Sequence, residues 1–141
     1  MYVLDTNVIS ELRQGKPEQS AAVRAWAAQQ PEDQLFLTAI GILEMEQGVL
    51  LLERRTPPQG SRLRSWLDAT RAAFDGRILA FTDTAAVLCA RMHVPDPRPA
   101  RDAMMAATAL THGFTVVTRN VRDFAGTGVQ LLNPWEWSAH H

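Results

Sequence analysis

The sequence predicts an α/β fold in which a central, mostly parallel twisted sheet lies between two layers of helices. Short apolar stretches rich in strand-favouring residues alternate along the chain with longer segments of helical periodicity. That alternation is typical of a parallel sheet covered on both faces. The 141 residues, 46% of them hydrophobic, suffice for one core. We therefore expect a single domain over residues 1–141, with 137–141 as a tail.

The first half of the chain provides three predicted strands and four predicted helices. The strand "YVL" runs into Asp5, and Thr6 or Asn7 can cap the amphipathic segment that follows. The next elements are a helix around "AAVRAW", a strand in "QLFLTA", a helix in "IGILEMEQGVLLLERR" ended by "TPPQGS", a helix in "SRLRSWLDATRAAF" and a strand in "RILAF". The "IGILEMEQGVLLLERR" helix is apolar nearly all the way round, so we expect it to be buried on more than one face.

The second half repeats the alternation. "DTAAVLCARMH" predicts a helix that Asp83 can cap, and the proline-rich "VPDPRPA" predicts a loop. "RDAMMAATALTHG" begins just after Pro99 and closes on Gly113, as helices with proline at the start and glycine at the end do. "FTVVT" predicts a strand, "RNVRDF" a turn or short helix, and "VQLLNP" a last extended segment.

Composition narrows the classes of protein. Basic and acidic residues number 14 and 15, so net charge gives no sign of nucleic-acid binding. Cys89 is the only cysteine, which excludes an intramolecular disulfide and a thiolate zinc site and favours a buried, inert thiol. No stretch approaches the roughly 18 apolar residues of a membrane span, so we expect a soluble, cytoplasmic protein without membrane contact. His140 and His141 are either native or left from an expression tag, and they are excluded from the site.

Several acidic residues lie at positions for which exposure to solvent is a poor explanation. Asp5 ends the first strand, Asp102 opens a helix and Asp123 follows the fourth strand. These positions share one edge of a parallel sheet and can converge there, although Asp102 alone could also be a helix cap. Glu44 lies within the most apolar helix, where an ionised carboxylate is costly unless it is paired or metal-bound. Glu46 has the same periodicity, so spacing leaves both glutamates open.

Four segments then carry a family resemblance. They are "VLDTNVISEL", "LTAIGILEMEQGVLLLERR", "RDAMMAATAL" and "VVTRNVRDFAGTGVQLLNPW", in this order over nearly the whole chain. Together they resemble the PIN-domain ribonucleases, particularly the VapC-type toxins of bacterial toxin–antitoxin systems and their FitB-like branch. The resemblance implies a PIN-like three-layer α/β/α sandwich. It also implies a catalytic and metal-binding centre of four acids, Asp5, Glu44, Asp102 and Asp123.

The resemblance implies a metal-dependent endoribonuclease that cleaves RNA phosphodiester bonds. Clustered carboxylate oxygens suit Mg²⁺, with Mn²⁺ as the alternative, and Mg²⁺ leaves positions open for water and substrate phosphate. Asp5 and Asp102 would be the principal ligands, and Glu44 and Asp123 would bind directly or through water. The implied partners are RNA, a VapB-type antitoxin and a second copy of the chain in a homodimer, with DNA bound only indirectly through the antitoxin.

Residues around the acids carry supporting expectations. Thr6, Thr118 and Asn120 would orient ligands or waters, and Arg98, Arg101, Arg119 and Arg122 would contact RNA phosphates or make structural pairs. Five further arginines could line an RNA-binding rim or simply be solvated on helix faces: Arg54, Arg55, Arg62, Arg64 and Arg71.

The sequence argues against two alternative functions and leaves a third open. A haloacid-dehalogenase-like phosphohydrolase would have a second acid two residues after the first, where Asn7 stands. A signalling domain phosphorylated on aspartate would use a lysine late in the chain, whereas Lys16 is the only lysine. A PIN domain that has lost catalysis and only binds RNA or regulates stays open, and an activity assay distinguishes it.

Overall fold

Five parallel strands form the centre of the fold, in the spatial order β3-β2-β1-β4-β5. The computed structural model describes residues 1–138. The strands are β1 Tyr2–Leu4, β2 Leu35–Thr38, β3 Ile78–Leu79, β4 Thr115–Val117 and β5 Leu131–Leu132. The helices are α1 Thr6–Glu11, α2 Ala21–Ala28, α3 Ala39–Arg55, α4 Pro57–Ala73, α5 Asp83–Met92, α6 Ala100–His112 and α7 Val121–Phe124, with 3-10 turns at Glu32–Gln34 and Pro134–Glu136.

The two faces of the sheet are covered by different helices. In β1, Leu4 packs into a cluster with residues of α1 to α4, whereas Val3 packs into a second cluster with residues of α6 and α7. Val117 and Val116 of β4 divide between the same two clusters. Successive strand residues point to opposite faces, so both faces of the sheet are buried. The predicted three-layer α/β/α sandwich is confirmed.

The hairpin of α3 and α4 differs from its prediction in two ways. "TPPQGS" ends α3 as predicted, but it also opens α4, which begins earlier than expected because Pro57 occupies the first helical turn, where its missing N–H and fixed φ are tolerated. The helices approach closely at Gly60, where a Cβ would lie 2.4 Å from Cα of Glu53. The expected burial of α3 on more than one face is wrong, since Leu43, Leu50 and Leu51 are 50%, 54% and 54% exposed. The elements of this chain cover only part of its apolar surface.

Helix caps and the chain end also need correction. The residue that caps α1 is Asp5 itself, whose carboxylate accepts from the N–H of Thr6. The cap of α5 is Thr82 rather than Asp83. Trp137, expected in a tail, packs against the first core cluster. Residues 139–141, with both terminal histidines, lie outside the described residues.

Two predictions from composition can be compared with residues 1–138. Cys89 is buried, as expected, and burial raises the pKa of its thiol. None of the described helices is long and apolar enough to cross a membrane.

Candidate active site

The candidate site lies at the carboxyl edge of the sheet. β1 is the middle strand, with β2 on one side and β4 on the other. Asp5 directly follows β1, Glu44 is in the helix that follows β2, and Asp123 is in the short helix that follows β4. Asp102 lies in the first turn of α6. The topology therefore brings acids from four separate segments to one edge.

Asp5 is the most constrained of these acids. Its side chain is buried, with the residue only 4% exposed. One carboxylate oxygen accepts from the backbone N–H of Thr6 at 2.8 Å, and the other accepts from the Thr118 hydroxyl at 2.8 Å and from the Asn7 amide at 3.3 Å. Burial raises the pKa of Asp5, the hydrogen bonds oppose that rise, and the charge of Asp123 adds to it.

Glu44 and Asp102 show the electrostatic cost of the cluster. Burial raises the pKa of Glu44, and the charges of Asp5 and Asp102 raise it further. The pKa of Asp102 is raised to about 6, first by burial and then by Asp5 and Asp123. Oε1 of Glu44 is also buried without a hydrogen-bond partner, alone in this respect among the side-chain oxygens and nitrogens of residues 1–138. The carboxylates therefore repel one another, and the charge of Arg101 offsets only part of the effect at Glu44.

The structure separates the two candidate glutamates. Glu46 accepts from Nη1 of Arg64 at 2.6 Å, and the same guanidinium bonds Glu53. The Arg64 hydrogen bond lowers the pKa of Glu46. Glu46 therefore belongs to the contact between α3 and α4, and Glu44 is the glutamate beside Asp5 and Asp102.

The donor set fits a hard divalent cation that uses few protein ligands. Within residues 1–138, no three Asp, Glu, His or Cys side chains form a ready-made metal cage. Mg²⁺ does not require one, because it commonly binds one or two carboxylates and keeps several waters. A bound divalent cation would provide a partner for the Glu44 oxygen. It would also offset the burial and repulsion that raise the pKa values of Asp5, Glu44 and Asp102.

Thr118 is the centre of the polar network that supports Asp5. Its hydroxyl donates to Asp5, and the hydroxyl oxygen accepts from the Asn120 backbone N–H at 3.0 Å and from the Asn7 amide at 3.4 Å. Asn120 thus contributes through its backbone. The sequence predicts Asn7 as a possible helix cap, whereas in the structure its side chain contacts Asp5 and Thr118 and accepts from the Arg119 N–H. Its position two residues after a strand-ending aspartate was the available signal.

The predicted phosphate-binding arginines are in different environments. Arg98 donates to the carbonyls of Met92, Ala125 and Gly126 at 2.9, 2.7 and 3.3 Å. It joins the loop before α6 to the loop after α7, which is the structural role that the sequence left open for it beside RNA contact. Arg101 is exposed, donates to the Gln47 amide at 2.8 Å and lies close enough to Glu44 for its charge to act on that carboxylate.

Arg119 and Arg122 are exposed close to the acids in sequence. The guanidinium of Arg119 lies 5.0 Å from the ring centre of Trp135, in a cation–π contact. Arg122 is next to Asp123 in α7. Both stay candidates for RNA contact.

Comparisons with known proteins agree on one family. The PIN domain family matches residues 2–129. The chain is 37% identical to the VapC ribonuclease Y4jK of Sinorhizobium fredii over 144 residues, covering 96% of this chain and 99% of that protein. It is 33% identical to the toxin FitB of Neisseria gonorrhoeae over 142 residues, covering 96% of this chain and 99% of FitB.

Solved structures show the same likeness in three dimensions. The crystal structure of FitAcB from Neisseria gonorrhoeae matches 97% of this chain and 100% of its own, with a TM-score of 0.87 and 33% identity. A structure of FitAB bound to the IR36 DNA fragment matches 100% of both chains, with a TM-score of 0.83 and 33% identity.

Proposed function

This chain belongs to the PIN-domain family, as its motifs predicted, and on that premise we propose that it is a Mg²⁺- or Mn²⁺-dependent endoribonuclease, the toxin of a toxin–antitoxin pair. Its relatives include a protein named VapC ribonuclease and a protein named toxin FitB, each matched over almost its full length. The observation that carries the proposal is the buried, unpartnered oxygen of Glu44 beside two other carboxylates whose pKa values are raised.

The four acids have distinct parts in this proposal. Asp5 and Asp102 would be the principal metal ligands, and Glu44 and Asp123 would bind directly or through water. A divalent cation held there supplies a water of lowered pKa and neutralises charge on the phosphodiester. Thr118 and Asn7 fix the direction of the Asp5 carboxylate through their hydrogen bonds. Arg101, beside Glu44, offers a cation to the RNA backbone. No covalent nucleophile from the protein is required.

The proposed partners follow from the relatives. One related structure is described as FitAB bound to a DNA fragment. By analogy, we expect this chain to pair with a VapB-type antitoxin and to approach DNA only through it. A homodimer in the cytoplasm is the proposed state of the toxin. The half-exposed leucines of α3, Leu43, Leu50 and Leu51, support a contact with a second chain.

A metal-add-back assay tests the activity. The purified chain is stripped with EDTA and incubated with single-stranded cellular RNA, with and without Mg²⁺ or Mn²⁺. We expect cleavage only with metal, and loss of cleavage in Asp5→Asn and Asp102→Asn. Asp68→Asn, on the exposed surface of α4, is the matched control and should cleave normally.

The same assay addresses the alternative of a PIN domain without catalysis. That alternative requires RNA binding by the wild-type chain with no cleavage in any divalent metal. Cleavage that persists in Asp5→Asn would instead disprove the assignment of the site.

A further inference from the structure

A cavity of about 380 Å³ opens beside the acidic centre and shares Glu44 with it. Val49 and Leu63 give it apolar walls, and the side chain of Trp66 forms another wall. Its size is within the range of about 300–1,000 Å³ that is usual for ligand pockets. A ligand in this cavity would therefore be next to any phosphate held at the acids.

Gly48 keeps this cavity open. It lies in the interior of α3, where glycine is less favourable than alanine. A Cβ at Gly48 would meet nothing within 4 Å, so no close packing requires the glycine, in contrast to Gly60. Since Gly48 lines the cavity one helical turn after Glu44, the effect of its missing side chain is to leave space there.

The cavity continues into a groove between α1 and α4. It consists of three adjoining cavities, which we call the α1–α4 groove, and Arg13 lines all three. Arg62 lines two of them, and Trp66 lines two. Each charged residue that lines these three cavities is basic. Within residues 1–138, neither Arg13 nor Arg62 forms an ion pair, whereas Lys16 pairs with Glu11.

We propose that the α1–α4 groove, together with the cavity at Gly48, binds single-stranded RNA, with one base stacked on Trp66 and the flanking phosphates on Arg13 and Arg62. This inference rests on the proposed ribonuclease function and adds the path of the substrate to it. A basic groove with an aromatic platform is how proteins bind single strands, because each base offers a π face and the backbone is uniformly charged. A base can reach Trp66 only when it is unstacked, so the groove selects single-stranded segments over duplexes.

Binding to a variant that does not cleave tests the groove. In an Asp5→Asn background, the probes are short fluorescent oligoadenylate, oligocytidylate and oligouridylate, with an RNA duplex for comparison. Arg13→Gln and Arg62→Gln should each reduce the slope of log affinity against log salt by about 0.7. The matched control is Arg24→Gln, exposed on α2 and lining none of these cavities, which should leave the slope unchanged.

The aromatic platform has its own readout. Trp66→Leu and Gly48→Leu should each weaken single-strand binding by about tenfold, while Trp66→Phe keeps most of the affinity. RNA should quench tryptophan fluorescence in the parent chain, and most of that quenching should disappear in Trp66→Phe. A merely structural role of Trp66 would not produce this change. Circular dichroism and thermal melting verify that each variant is folded.

The outcomes distinguish failure of the groove from failure of the function. If the groove variants bind RNA as tightly as Asp5→Asn alone, and the same groove substitutions in the wild-type chain leave cleavage unchanged, the groove proposal is overturned and the function stands. If the groove variants retain RNA binding but no longer bind an antitoxin segment, the groove is a protein-binding site and the proposal is likewise overturned. A wild-type chain that neither binds nor cleaves single-stranded RNA would overturn both the groove proposal and the proposed function.

Discussion

The hydroxyl of Thr118 donates to a carboxylate oxygen of Asp5 at 2.8 Å, across 113 residues of sequence. The register of the sheet produces this contact, because Leu4 of β1 pairs with Val117 of β4 and the next residue of each strand emerges at the same edge. The Asp5 N–H also donates to the Val117 carbonyl at 2.9 Å. The backbone of two neighbouring strands thus fixes the position of the carboxylate.

Replacement of Thr118 by valine should weaken metal use. The hydrogen bond from Thr118 lowers the pKa of Asp5, so its loss favours the neutral carboxyl, which is a poorer ligand. We expect Thr118→Val to reduce cleavage by about tenfold to a hundredfold and to raise the Mg²⁺ concentration for half-maximal rate. Thr118→Ser, which keeps the hydroxyl, should restore both. A loss of thermal stability with an unchanged Mg²⁺ dependence would show that Thr118 acts only on the fold.

The two glutamates of α3 form a matched pair for mutation. Glu44→Gln removes a carboxylate whose pKa is raised by burial and by the charges of Asp5 and Asp102, and we expect it to abolish most metal-dependent cleavage. Glu46→Gln weakens the link to Arg64 and should lower the melting temperature while the folded enzyme cleaves at nearly the parental rate. Both variants are assayed below their melting temperatures. Loss of cleavage in Glu46→Gln alone would mean that Glu46, and not Glu44, is the glutamate of the active site.

Asp102 should destabilise the metal-free protein at neutral pH. Its pKa is about 6 in the folded chain and 3.8 ordinarily, so the folded state holds the proton more tightly. Stability from this group therefore falls as pH rises from about 4 to about 6, and the penalty is complete above that range. Asp102→Asn should raise the free energy of unfolding at pH 7 by about 1–2 kcal/mol, discounted for the partial exposure of the carboxyl.

Urea denaturation in EDTA at pH 4 and pH 7 measures this effect. The difference between Asp102→Asn and the parent chain should be large at pH 7 and small at pH 4. Asp68→Asn again serves as the control, because Asp68 is exposed on α4. Equal stability of Asp102→Asn and the parent at pH 7 would contradict the crowding of the acids.

Local pattern was sufficient for the strands and for most of the acidic centre. A strand such as β1 that ends on Asp5 needs only β-favouring residues and a cap, both visible in the sequence. The shared edge of parallel strands then predicted that Asp5, Asp102 and Asp123 converge. Electrostatic coupling of Asp102 with Asp5 and Asp123 agrees with this convergence.

The features that local sequence pattern did not predict depend mostly on contacts with residues far away in the sequence. Glu44 and Glu46 are two residues apart on one helix, and only the packing of α4, which brings Arg64 to Glu46, distinguishes them. The sequence left Arg98 open to RNA contact because two of the three carbonyls that it bonds lie 27 and 28 residues further along the chain. "TPPQGS" was correctly expected to end a helix, but the pattern did not show that the next helix begins within it, at Pro57.

The proposed antitoxin should compete with metal at the acidic centre. Crowded carboxylates attract a guanidinium as well as a metal cation, and Arg64 already binds two carboxylates of this chain, Glu46 and Glu53. An antitoxin segment that is disordered when free could place an arginine beside Asp5 or Glu44 as it folds onto the toxin. We expect the purified partner to inhibit cleavage, excess Mg²⁺ or Mn²⁺ to relieve part of the inhibition, and an Arg→Ala change in that segment to weaken it.

The measurement is cleavage rate against metal concentration at fixed antitoxin, with NaCl of equal ionic strength as the control for screening. Inhibition that responds to neither metal nor loss of the arginine would mean that the antitoxin acts by blocking access of RNA to the site.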